Sequence, residues 1–111
     1  MLVLLDQGTP APLRRHLRHH IVKTATQQGW DTLANGELLA AAEAEKFDVF
    51  VTTDKNLRYQ QNLAGRRIAI VVIAHAQWPG LEPHVELVVA AIDRIIPGSY
   101  EEVEIPIGGG A

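Results

Sequence analysis

The sequence predicts an α/β fold, a three-layer αβα arrangement around a central, mostly parallel sheet of four to five strands. Three observations carry this. Short, continuously apolar runs recur along the chain, the pattern of strands buried on both faces. Stretches rich in helix formers separate them. Alternation of the two implies a parallel sheet joined by right-handed crossovers.

Taken in order, Leu2 to Leu5 is the first strand, broken by Gln7-Gly8-Thr9-Pro10. Thr9 can cap the next helix with Pro10 at its first position. Leu13 and Leu17, four apart, would face the core. His20 to Ala25 reads as a second strand, and Gln28-Gly29-Trp30-Asp31 as a loop. Asn35 is a good N-cap for a helix running from Gly36 through Glu45. Asp48 to Thr52 is a third strand, Asn56 to Leu63 a short helix, and Ile68 to Ile73 a fourth strand. Pro79-Gly80 marks a turn. Leu81 to Ile96 reads as one last helix, with Val85, Val88, Val89 and Ile92 on a stripe, ended by Pro97-Gly98. Tyr100 to Ile105 is an acidic fifth strand suited to an edge. No repeat or linker interrupts the chain, so the expectation is one domain over residues 1–107 and a flexible tail over 108–111.

Two of the apolar runs end in aspartate. Asp6 follows Val3-Leu4-Leu5, and Asp54 follows Val49-Phe50-Val51-Thr52-Thr53. The C-terminal ends of parallel strands are where ligands bind. Two such carboxylates, with an acid from a nearby helix, suit a divalent metal and phosphoester chemistry. The pair meets only if the two strands are neighbours.

Composition sets bounds on the alternatives. At 111 residues there is room for one core. The absence of cysteine excludes a disulfide scaffold and thiolate–metal sites, and agrees with a reducing compartment. The N-terminus shows no signal-peptide pattern, and no apolar run approaches the roughly 18 residues of a membrane span. The expectation is a cytoplasmic protein with no membrane partner. A formal net charge of −3 excludes a generally basic nucleic-acid binder. Basic residues still cluster at Arg14, Arg15, Arg18 and Lys23, and again at Arg58, Arg66 and Arg67, where phosphates could be met. No phosphate-binding glycine loop and no serine nucleophile elbow is present.

Leu4-Leu5-Asp6-Gln7, Gly36-Glu37-Leu38-Leu39 opening a helix, and Val51-Thr52-Thr53-Asp54 together resemble the PIN domain family of nucleases. The similarity is greatest to a short bacterial PIN-like branch, whose opening reads LLDEN and whose later motif reads VTRDRDF. It covers about the first 75 residues in order and spacing, and the joint order of short motifs carries it. The resemblance implies Mg²⁺- or Mn²⁺-dependent hydrolysis of RNA phosphodiesters. Matched by position, Asp6, Glu37 and Asp54 would be metal ligands and catalytic residues. Arg14, Arg15, Asn56 and Arg58 would contact nucleic acid. Some relatives sit beside small antitoxin-like genes, which implies a toxin with a small antitoxin partner.

Three positions depart from the branch. Gln7, Asn35 and Asn56 stand where it carries acids. An amide brings no negative charge, so the alternative reading is a weak or inactive PIN-like module that binds RNA or a protein partner. A third reading is an interacting subunit, a homodimer joined through the last helix or the final strand.

The remaining polar residues have readings of their own. Glu43 is a fallback ligand two turns beyond Glu37. Thr52 and Thr53 suit a strand, where packing is the simpler role and orienting a carboxylate the sharper one. His16 and His20 would share a helix face if the helix reached that far, but without a third ligand they do not make a zinc site. Trp30 and Trp78 read as core lids or interface anchors. The polar stretch from Asn56 to Asn62 follows Asp54 directly and is the best place for phosphate or base contacts.

Overall fold

In the computed structural model, which describes residues 1–60 and 63–106, five strands form one all-parallel sheet. They are β1 (Leu2–Leu5), β2 (Ile21–Thr24), β3 (Val49–Thr52), β4 (Ala69–Ile73) and β5 (Tyr100–Val103), in spatial order β2-β1-β3-β4-β5. The helices are α1 (Asn35–Ala44), α2 (Leu57–Gln60), α3 (Trp78–Leu81) and α4 (Val85–Arg94), with 3-10 turns at Ala11–His16 and Glu82–His84. Gln61 and Asn62 of the expected polar stretch, the domain end at 107 and the 108–111 tail lie outside the described residues.

Every residue of β3 and β4 is buried, because both faces of the sheet are covered. On one face Val3, Leu5, Val51, Val71 and Ile73 meet Leu13, Leu17, Leu81, Val88 and Ile92. On the other, Leu4, Phe50, Ile70 and Val72 meet Leu38, Leu39 and Leu57. The alternation along each strand thus builds the three layers.

Strand order reverses beside β1. The chain steps from β1 outward to β2, then returns across to β3 on the other side. The crevice between the C-terminal ends of β1 and β3 is therefore a topological switch point, the place where open α/β sheets bind ligands.

Four local expectations need correction. Thr9 does not cap a helix. Pro10 takes the N-cap position of a 3-10 turn, and the Thr9 hydroxyl donates to the carbonyl of Val51 at 3.2 Å instead. That turn ends at His16, so His16 and His20 do not share a face. The N-cap of α1 is Ala34, and Asn35 is its first helical residue. The expected helix from Leu81 to Ile96 is not continuous, because Pro83 lacks the N–H an unbroken helix needs; Leu81 ends α3, in whose first turn Pro79 is tolerated, and a 3-10 turn separates it from α4.

The crossovers also do not all share one hand. The β2–β3 and β3–β4 connections advance across the sheet over the α1–α2 face, whereas β4–β5 advances the same way over the opposite face. Burial accounts for this. Without α4, the face bearing Val51, Val71 and Ile73 would be covered mainly by Leu13 and Leu17.

Candidate functional site

Asp6 is fixed by the sheet itself. Its N–H donates to the carbonyl of Val51 at 2.8 Å, which extends the β1–β3 ladder by one residue. Its side chain projects to the α1–α2 side, as Leu4 does two residues earlier. There Asp6 Oδ2 accepts from the hydroxyl of Thr52 at 2.7 Å, and Oδ1 accepts from the N–H of Gln7 at 2.8 Å.

Thr52 is the link between the two aspartates. It is 1% exposed, so its hydroxyl must find partners inside the protein. It donates to Asp6 and accepts from the N–H of Asp54 at 3.1 Å. Its one proton is therefore committed to Asp6, and the direction of the chain is fixed. The carboxylate of Asp54 is held in turn by Asn35 Nδ2 at 3.1 Å on Oδ2 and by the N–H of Asn56 at 2.9 Å on Oδ1. One continuous set of hydrogen bonds thus runs from Asp6 through Thr52 and Asp54 to the first residue of α1. It spans the switch-point crevice.

Of the other expected site residues, Asn56 stays with this pair through its N–H, while the two glutamates do not. Glu37 is exposed, and its Oε1 accepts from the N–H of Ala34 at 3.2 Å. That is the reciprocal half of a capping box, and Ala34 has no side-chain oxygen to supply the other half. What α1 presents to Asp54 is the amide of Asn35, with no bond from Glu37 to either aspartate among the described residues. Glu43 is not at the site. It binds the Arg66 guanidinium and accepts from the N–H of Arg67 at 2.8 Å. Burial opposes its charge, but the Arg67 N–H, the Arg66 side chain and the Ile68 N–H outweigh that, and its carboxyl titrates below the usual value.

Arg14 and Arg15 are exposed on the 3-10 turn that covers the opposite face of the sheet from α1. Neither side chain makes a hydrogen bond or ion pair with a described residue. Arg58 is held against two tyrosines. It donates to the Tyr59 hydroxyl at 2.7 Å, and its guanidinium lies 4.9 Å from the Tyr59 ring centre and 5.5 Å from that of Tyr100. The hydrogen bond to Tyr59 raises the Arg58 pKa further. Tyr100 and Glu102 share the α1–α2 face, in register with Ile70 and Val72. Burial pushes the Tyr100 phenol up, and nearby Glu102 adds to this.

His16 and His20 have structural roles. His20 Nε2 pairs with Asp93 at 2.6 Å, and its Nδ1 faces the Met1 amine at 3.2 Å. The His16 ring lies 5.6 Å from that of Trp78, which packs on the core, and Trp30 meets Phe47 edge-on at 5.9 Å.

Among the described residues no group of three or more His, Asp or Glu is gathered as a metal cage. The pair of aspartates still fits a hard cation. Each of the four carboxylate oxygens accepts one hydrogen bond from a described residue and keeps a lone pair. Mg²⁺ is usually held by one or two carboxylates, with water and substrate phosphate completing its shell.

Thr52 is the residue whose role the sequence reading underweighted. Its signal was a threonine two places before the strand-end aspartate, on the same side of the strand. Tyr100 and Glu102 were missed as neighbours of the site, since only the β4–β5 register brings them to that face. No family model matches the chain, and no curated protein or solved structure matches it.

Proposed function

We propose that this chain is a Mg²⁺- or Mn²⁺-dependent ribonuclease of PIN-like type that hydrolyses phosphodiesters at the crevice between β1 and β3. One observation carries the reading: Asp6 and Asp54, from neighbouring strands at the switch point, are oriented together by the buried hydroxyl of Thr52. Asp6 and Asp54 would hold the cation, which would polarise the phosphate and lower the pKa of an attacking water. Thr52 restrains the Asp6 carboxylate, so its orientation need not be found during the reaction. Asn35 restrains Asp54 in the same way. Arg58, fixed against two tyrosines on the same side, would meet the phosphate of an adjacent nucleotide. Glu37 would have to leave the Ala34 N–H to reach the metal, so its part is secondary to the aspartates.

A second reading follows from the same geometry. The Asn35 amide stands on Asp54 where a carboxylate would add charge, and this favours a module that binds RNA without cutting it. Incubation of a labelled single-stranded RNA with Mn²⁺ separates the two. Cleavage that Asp6→Asn and Asp54→Asn both abolish supports the nuclease. Metal-independent RNA binding with no cleavage supports the module. No helix among the described residues is long and apolar enough to cross a membrane.

A further inference from the structure

A second concave region lies at the opposite end of the sheet. A cavity of about 760 Å³ opens at the strands' N-terminal edge, between the end of α1, the turn into β3, the loop before β4 and the loop after α4. This is within the size range of small-molecule sites, roughly 300–1,000 Å³. Phe47, Ile68 and Ile95 form an apolar floor and are each at most 9% exposed.

The rim carries charge that the protein does not use. Lys46 and Arg67 line the cavity, and neither side chain makes a hydrogen bond or ion pair with a described residue. Two acids, Glu43 and Asp48, line the same cavity, and each is already held by the protein. Glu43 is bound by Arg66 and the Arg67 N–H, and Asp48 accepts from the N–H of Leu2 at 2.7 Å. The carbonyls at the end of α1 are closed as well, since Phe47 N–H donates to Ala42 at 2.9 Å and Lys46 N–H to Glu43 at 3.0 Å. That pattern is a Schellman motif, whose left-handed position is normally glycine. Here it is Lys46, with φ of +63°, the one non-glycine residue at positive φ among those described. The backbone there would be better served by glycine. Such outliers point to a functional use of the side chain.

We propose that this cavity binds a small amphipathic organic anion. Its apolar body would lie on Phe47, Ile68 and Ile95, and its carboxylate or phosphate head would meet Lys46 and Arg67.

Octanoate, octyl phosphate, octylamine and inorganic phosphate, each titrated to about 10 mM with amide NMR shifts as the readout, test this. Octanoate and octyl phosphate should both saturate, with shifts centred on Lys46, Phe47 and Ile68; whichever binds tighter identifies the head group. Octylamine and inorganic phosphate should not saturate, because one carries the opposite charge and the other lacks the apolar body. Lys46→Gly should weaken octanoate about fivefold while raising the melting temperature, and Arg67→Gln should weaken it similarly. Loss of affinity in a variant of increased stability cannot come from misfolding. Octylamine binding as tightly as octanoate, unchanged affinity in Lys46→Gly, or no saturation by either anion would overturn the proposal.

Discussion

Replacing Thr52 by Val removes one buried hydroxyl and almost no volume. The hydroxyl donates to an ionised carboxylate at 2.7 Å and accepts from the Asp54 N–H at 3.1 Å. The first bond is worth about 1.5–3 kcal/mol and the second about 0.5–1.5 kcal/mol. Valine fits a strand and recovers about 0.8 kcal/mol through its extra methyl. The net loss should be about 2 kcal/mol, a large part of the roughly 5–15 kcal/mol that holds a domain of this kind together. The melting temperature should fall by about 8 °C. Thr52→Ser keeps the hydroxyl and deletes a methyl, at a cost of about 1 kcal/mol. Urea unfolding at unchanged m-value should therefore order the proteins wild type, Thr52→Ser, Thr52→Val, which puts last the variant that a ranking by apolar burial would put first. If Thr52→Val equals wild type, or is more stable than Thr52→Ser, the hydroxyl does not hold the two aspartates and the reasoning about the site fails.

Asn35→Asp places a second carboxylate against Asp54, in place of a donor at 3.1 Å. It should cost about 1–2 kcal/mol without metal and tighten Mn²⁺ binding, as thermal unfolding with and without Mn²⁺ would show. Lys46→Gly should stabilise the fold by about 1 kcal/mol through relief of the left-handed backbone, measured by urea unfolding. Glu43 has a folded pKa below its unfolded value, so its contribution is present above about pH 4.3 and is lost as pH falls through the lower folded value. Glu43→Gln should be less stable than wild type at pH 7, with the gap closing below about pH 4 in an acid-unfolding series.

The strands were legible because burial on both faces leaves a continuous apolar run, as in Val49-Phe50-Val51 and Ile70-Val71-Val72-Ile73. The aspartates were legible as strand ends. Their convergence was not, because it depends on β1 and β3 being neighbours, and pairing order leaves no local mark. The helix boundaries failed where a long-range contact outweighed local preference. Thr9 gave its hydroxyl to Val51, and Asn35 gave its amide to Asp54, so neither capped the helix beside it. The stripe through Val85, Val88 and Ile92 was read correctly as core, yet extended too far, since Pro83 breaks the backbone that the apolar pattern would continue. His20 was read at the entry to β2 and lies there, but its partner Asp93 is 73 residues away.

The most direct measurement is calorimetric titration of Mn²⁺ into wild type and into Asp6→Asn with Asp54→Asn. Saturable binding by wild type that the double variant loses is the expected result. Absence of binding by wild type at about millimolar metal, or equal binding by the double variant, would contradict a metal centre at the β1–β3 crevice.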